Sequence, residues 1–147
     1  MEWTQDGYRL SDDPAELDRS EIVRLLHTSY WAADRPAAVI ERGIAHSLNL
    51  GLFRERQQVG FCRAVTDEAT FTWVCDVIVH PDHRGRGLGK WMVQCLLAHP
   101  RLAGTTFTLG TRDAHSLYEP FGFVRTEYLR RGKPVPHLPP LPKSAGA

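Results

Sequence analysis

The spacing of apolar positions changes period twice along the chain. Between residues 18 and 48 the spacing is helical: Ile22, Leu25 and Leu26 share one face, and Ile40, Ile44 and Leu48 recur every four residues. Asp18 followed three residues later by Glu21 has the spacing of a capping box, which predicts a first helix over about 18–29. Pro36 suits the first position of a second helix over about 36–48, leaving Tyr30 to Arg35 as the link between them. From residue 50 the pattern alternates. Leu50 and Leu52, then Val59, Phe61, Arg63 and Val65, then Phe71, Trp73, Cys75, Val77 and Val79 describe three strands of an antiparallel meander. Helical spacing returns over 87–99, where Leu88, Trp91, Met92, Val93, Cys95, Leu96 and Leu97 cover most of the circumference, as on a helix laid deeply against a sheet and ended by Pro100. Tyr8 to Leu10 reads as a short strand before the helices. After them come a strand at Thr105 to Leu109, a short helix over Asp113 to Tyr118 stopped by Pro120, and a last strand or hairpin opening at Phe121-Gly122-Phe123-Val124. The pattern predicts an α/β fold with a mixed sheet (α+β).

With 147 residues and 42% hydrophobic content, the chain suits one domain, placed at residues 1–132. Residues 133–147 hold five of the ten prolines and read as an extended or disordered tail, with a PxxP spacing at Pro136 and Pro139. A formal net charge of +1 leaves no global field for nucleic acid or an anionic membrane, so any attraction to anions must be local. There is no apolar run of membrane-spanning length, and MEWTQDGYRL lacks the regions of a signal peptide, so a cytoplasmic location is expected. Cys62, Cys75 and Cys95 are too scattered for a disulfide framework, and without CxxC or HxxxH spacing no metal site is expected.

Local positive charge is concentrated in HRGRGLGK, residues 83–90, between the apolar run Val77-Ile78-Val79 and the long helix. Glycines at 85, 87 and 89 let the backbone curl and approach a ligand, and the first N–H groups of the helix lie unpaired at its positive dipole end. A pyrophosphate supplies the missing acceptors, with Arg84, Arg86 and Lys90 adding charge and Leu88 opening the helix. A Walker A loop is excluded because Gly89-Lys90 is followed by Trp91, and the G-x-G-x-G spacing after a meander does not match the dinucleotide fingerprint.

Arg84, Gly87 and Gly89 do fit Arg/Gln-x-x-Gly-x-Gly/Ala, and Ala114-x-x-Leu117-Tyr118-x-x-x-Gly122-Phe123 supplies a second signature. Here the sequence resembles the GCN5-related N-acetyltransferase (GNAT) family over about residues 8–130, in element order β-α-α-β-β-β-α-β-α-β as well as in motifs. The resemblance implies splayed central strands, acetyl-CoA held by the glycine loop with a contact at Ala114, and the pantetheine arm lying along the backbone of Val77, Ile78 and Val79. It also implies direct transfer of an acetyl group to an amine of a small molecule or protein, without a metal. Dimers are common in the family, so a homodimer stays open. No nucleic acid or membrane partner is expected.

Transfer needs a proton for the departing thiolate. Tyr118 stands at the family's tyrosine position, and an ordinary phenol pKa of about 10 keeps it protonated at neutral pH. Asp76, a carboxylate inside an apolar strand and set by alternation opposite Cys75 and Val77, has two readings: a base acting through water or an anchor for a cation, or a structural ion pair with Arg63. His80, next to Pro81, has an ordinary pKa suited to a base, but a surface-loop histidine is the commoner case, and His83 and His115 have the same two readings. Thr111 departs from the family's asparagine. Tyr30 and Trp31 are expected to wall the acceptor pocket, and Asp34 or Arg35 to select a charged group. Two other classes remain: a non-catalytic acyl-CoA binding or sensing module, and an RNA-binding protein using the Arg/Gly stretch, which near-neutral charge disfavours.

Overall fold

The computed structural model describes residues 1–132; the proline-rich tail and its PxxP lie outside the described residues. Six strands form one sheet in the order β1-β2-β3-β4-β5-β6: β1 Glu2–Gln5, β2 Tyr8–Ser11, β3 Leu48–Arg54, β4 Gln57–Thr66, β5 Phe71–Val79 and β6 Thr106–Thr108. The first five pair antiparallel, and β6 pairs parallel to β5. Helices α1 Arg19–His27 and α2 Ala37–Ala45 follow β2, α3 Leu88–Leu97 follows β5, and α4 His115–Tyr118 follows β6.

Helical spacing marks the buried faces of the helices, but in β5 the alternating set Phe71, Trp73, Cys75 and Val77 is exposed or half-buried while Thr72, Val74, Asp76 and Ile78 are buried, because the polar partners of Thr72 and Asp76 let these side chains take the inner positions. Ile22, Leu25, Leu26, Ile40 and Ile44 pack with Phe61 and Ile78 on one side of the sheet. Leu88, Trp91, Met92, Cys95 and Leu96 pack with Leu50, Leu52 and Val59 on the other. Asp18 caps α1, its carboxylate accepting from the Glu21 N–H at 3.0 Å; this bond pulls the Asp18 carboxyl below its usual pKa. Glu21 does not close the reciprocal half of the capping box and instead pairs with Arg24. Pro36 is the N-cap of α2 rather than its first helical residue.

Further features depart from the sequence reading: α2 ends at Ala45, and Leu48, expected on its apolar face, instead opens β3. The chain opens with a hairpin, β1–β2, turned at Asp6 (φ 50°) and Gly7 (φ 79°). Asp-Gly is the dipeptide that tight hairpins favour, so the signal was present. The strand expected from Phe121 does not form among the described residues: a single 3-10 turn, Glu119–Phe121, ends at Gly122 in the left-handed region (φ 85°), and the segment beyond it meets the sheet through the Tyr128 ring, edge-on to Trp73 of β5 at 5.8 Å, without forming a ladder. Finally, β5 carries a bulge. Phe61 opposes Ile78 while Arg63 opposes Cys75, so β5 has one residue extra, and Asp76 adopts φ 56°. The extra residue resets which face each side chain meets. Val74 packs on the α3 side, whereas Ile78, four positions on, packs beneath α1 and α2. Strict alternation across Cys75, Asp76 and Val77 therefore fails at this point.

Candidate functional site

The sheet opens where β5 and β6 part. Their pairing covers only Phe71 to Trp73, so from Val74 to Val79 the β6 side of β5 has no neighbouring strand among the described residues. Val77, Ile78 and Val79 lie on this free edge, with their side chains in or against the core. The splay follows from the shortness of β6, whose ladder ends at Thr108.

At the end of the free edge a 3-10 turn, Pro81–His83, leads into the glycine loop. Gly85 (φ 75°) and Gly87 (φ 74°) both occupy the left-handed region, and a Cβ at either would meet nothing within 4 Å. The backbone therefore lies bare. Gly87 is the N-cap of α3 and offers no side-chain cap, so the first N–H groups of the helix are left without a capping partner at its positive dipole end. Arg86 and Lys90 are exposed beside them. Arg84 differs, because its Nε donates to the Val79 carbonyl at 2.9 Å and braces the loop against β5. Gly89 serves helix packing, with Leu117 of α4 3.9 Å from the place of its missing Cβ. This contact sets α4, and hence Tyr118, beside the loop.

Tyr118 is buried, with 8% exposure, and its ring meets Phe123 edge-on with centroids 5.8 Å apart. Burial pushes its phenol up to about 12, which keeps the hydroxyl protonated throughout the neutral range. It shares a cavity of about 1450 Å³ with Tyr30, Trp31, the segment from Leu109 to Arg112, and His115; Ala114 does not line it. Ala114 N donates to Thr111 Oγ1 at 3.0 Å, so the threonine found in place of asparagine holds the turn before α4. Tyr30 is tied to the same turn: its hydroxyl accepts from Arg112 N at 3.2 Å, and the Arg112 guanidinium sits 3.9 Å above its ring. Arg112 was not singled out from the sequence, since only folding sets it on Tyr30.

Asp76 is the hub of a second cluster. Trp31 Nε1 donates to its Oδ1 at 3.0 Å, Arg35 Nη1 to both oxygens at 3.1 and 3.2 Å, and Arg63 Nε to Oδ2 at 2.6 Å. Arg63 Nη1 also donates to Ser47 Oγ at 3.0 Å. The ion pair with Arg63 is thus present, and the carboxylate has no oxygen left for a cationic ligand. Asp34 makes no ion pair among the described residues, whereas Arg35 joins the hub. His80 and His83 meet edge-on with ring centroids 5.8 Å apart. His83 Nδ1 lies 2.9 Å from the Tyr8 hydroxyl, His80 Nδ1 accepts from Asp82 N at 3.2 Å, and His115 lines the Tyr118 cavity. Burial raises the thiol pKa of Cys62, Cys75 and Cys95, that of Cys75 to about 11. No group of three or more metal-ligating side chains occurs among the described residues, and no described helix is long and apolar enough to cross a membrane.

The free edge of β5, the bare glycine turn and the uncapped start of α3 together define a class: α/β proteins in which an unpaired strand edge runs through a bare turn into a helix N-terminus. Within that class the chain belongs to the GNAT acetyltransferase family, whose profile, described as an acetyltransferase (GNAT) domain, matches residues 41–125. The chain is 39% identical over 112 residues to the uncharacterized N-acetyltransferase ycf52 of Pyropia yezoensis, an alignment covering 71% of this chain and 64% of that protein. The chain thus spans less than two thirds of that relative's length. A crystal structure from Xanthomonas campestris pv. campestris assigned to the GNAT family superposes with a TM-score of 0.83 at 39% identity, covering 89% of this chain and 96% of that one. Glucosamine-6-phosphate N-acetyltransferase from Arabidopsis thaliana shares the fold at a TM-score of 0.67 and 15% identity, over 85% of this chain and 97% of that one.

Proposed function

We propose that the protein is an acetyl-CoA-dependent N-acetyltransferase acting on an amine by direct attack. The observation that carries this reading is the junction of the free β5 edge with the bare turn at Gly85 and Gly87 above the uncapped N-terminus of α3. The residues suit the cofactor. The loop backbone with Arg86 and Lys90 would hold the pyrophosphate, Val77 to Val79 would offer backbone groups to the pantetheine amides, and Ala114 would flank the arm. Acetyl-CoA supplies an acetyl group already activated as a thioester.

Tyr118 serves as general acid. Its buried hydroxyl, held protonated, donates to the sulfur as the C–S bond breaks, while the acceptor nitrogen forms the new N–C bond and releases its own proton to solvent. A covalent relay through cysteine is disfavoured, since burial keeps all three thiols protonated and a thiol is a poor nucleophile in that state. Asp76 acts by holding Trp31, Arg35 and Arg63 in place. Tyr30 and Trp31 wall the acceptor end.

The test is a panel of amine acceptors with acetyl-CoA and detection of free CoA, run beside calorimetric titration of acetyl-CoA. Acetyl-CoA binding with amine-dependent CoA release is expected. Binding without turnover on any amine would make the protein a binding module, and absence of binding would remove the reading altogether.

A further inference from the structure

A second cavity, of about 520 Å³, lies between α2 and the β4–β5 face and carries an imbalance of charge. Arg35, Arg42 and Arg63 line it with a single carboxylate, Asp76. Asp76 engages Arg35 through one nitrogen, Nη1, and Arg63 through Nε. Among the described residues Arg35 Nε and Nη2 and Arg63 Nη2 make no hydrogen bond, and Arg42 makes no ion pair. Two guanidinium groups are thus fixed by one carboxylate, leaving donors and a positive charge unspent beside a cavity. The rest of its wall is apolar, with Val39 and Val65 exposed at the rim above Leu26, Ile40 and Phe61. Trp31 stands between the two cavities: it lines the one that holds Tyr118 and donates to Asp76 in the other.

We propose that this cavity selects the acceptor, an amine that also bears a carboxylate and an apolar side chain, as an apolar α-amino acid does. The carboxylate sits on the free donors of Arg35 and Arg63, the side chain lies against the Val39 and Val65 walls, and the amine extends past Trp31 toward Tyr118. Guanidinium groups suit this task because their planar fork matches a carboxylate with charge-assisted hydrogen bonds. Asp76 is excluded as the anchor of a cationic acceptor, because its oxygens are already occupied. The inference rests on the acetyltransferase reading, and the product of that reaction is an N-acetyl amino acid with CoA thiol.

The test measures equilibrium binding and so does not depend on turnover. N-acetyl-leucine and N-acetyl-leucinamide, identical except for the charge, are titrated calorimetrically into the full chain with CoA present, and acetyl-CoA is titrated alone. The acid is expected to bind roughly tenfold or more tightly than the amide, in line with charge-assisted hydrogen bonds. Arg35→Gln is expected to abolish that preference, and Arg35→Lys, which keeps the charge but not the fork, to restore part of it. Equal affinity for acid and amide, or no measurable binding of either while acetyl-CoA binds, overturns this inference and leaves the acetyltransferase reading standing. Failure of acetyl-CoA itself to bind overturns that reading first.

Discussion

Replacing Gly87 with alanine separates two jobs that the glycine performs. At φ 74° a Cβ is strained whatever the space around it, and the expected cost is about 1–2 kcal/mol. For a domain of this size that loss corresponds to a fall in melting temperature of roughly 3–8 °C. No neighbour lies within 4 Å of the new methyl group, so no packing clash adds to this. The methyl does occupy the open space before the first N–H groups of α3. If a pyrophosphate binds there, loss of one or more charge-assisted backbone hydrogen bonds should weaken acetyl-CoA by about ten- to a hundredfold. Gly104 supplies the matched control: its φ is 83°, a Cβ there also meets nothing within 4 Å, and it follows the C-terminal end of α3 rather than its start. Gly104→Ala should therefore lose similar thermal stability and keep full acetyl-CoA affinity. Calorimetry and thermal denaturation on both variants decide the matter. If Gly87→Ala melts lower yet binds acetyl-CoA as tightly as Gly104→Ala does, the turn is only a turn and the loop assignment is refuted.

Tyr118→Phe should preserve acetyl-CoA affinity while lowering turnover by about a hundredfold or more, the usual loss for a positioned general acid; equal rates where chemistry is limiting would remove Tyr118 from the mechanism. The same residue makes a stability prediction at alkaline pH. Its folded pKa, about 12, lies above the ordinary phenol value, so its contribution is complete below about pH 10 and is lost as pH rises toward 12; Tyr118→Phe should flatten that part of a stability–pH profile. Asp18→Ala removes the α1 cap and should cost about 1 kcal/mol by denaturant unfolding near neutral pH. Because the folded carboxyl titrates below its unfolded value, this difference should be present above about pH 4 and shrink as pH falls through the folded pKa. A difference unchanged in acid would mean that the charge of the cap contributes nothing.

The sequence by itself determined what depends on neighbours along the chain. Helical periods marked α1, α2 and α3, because a buried face imposes its period on the residues that line it; alternation marked the strands of the meander but not which face of β5 is buried. The glycine loop was legible for a similar reason: left-handed backbone and close approach are properties that glycine confers locally, and the loop adjoins the helix whose N-terminus it exposes. Tyr118 was legible through its motif, but its burial beside the loop required the packing of Leu117 over Gly89. Tertiary structure alone decided the role of Asp76. One extra residue in β5 shifts the faces of the strand, and the carboxylate then meets Arg35, forty-one positions away, and Arg63 across the ladder. The cavity lined by Arg35, Arg42 and Arg63 has the same origin. Its cations lie on the helix link, on α2 and on β4, so their convergence, and the charge left over once Asp76 is satisfied, exist only when those elements are brought against one another. The strand expected from Phe121 shows the converse limit, since an apolar run becomes a strand only where a neighbouring edge accepts its hydrogen bonds, and local pattern carries no information about that edge.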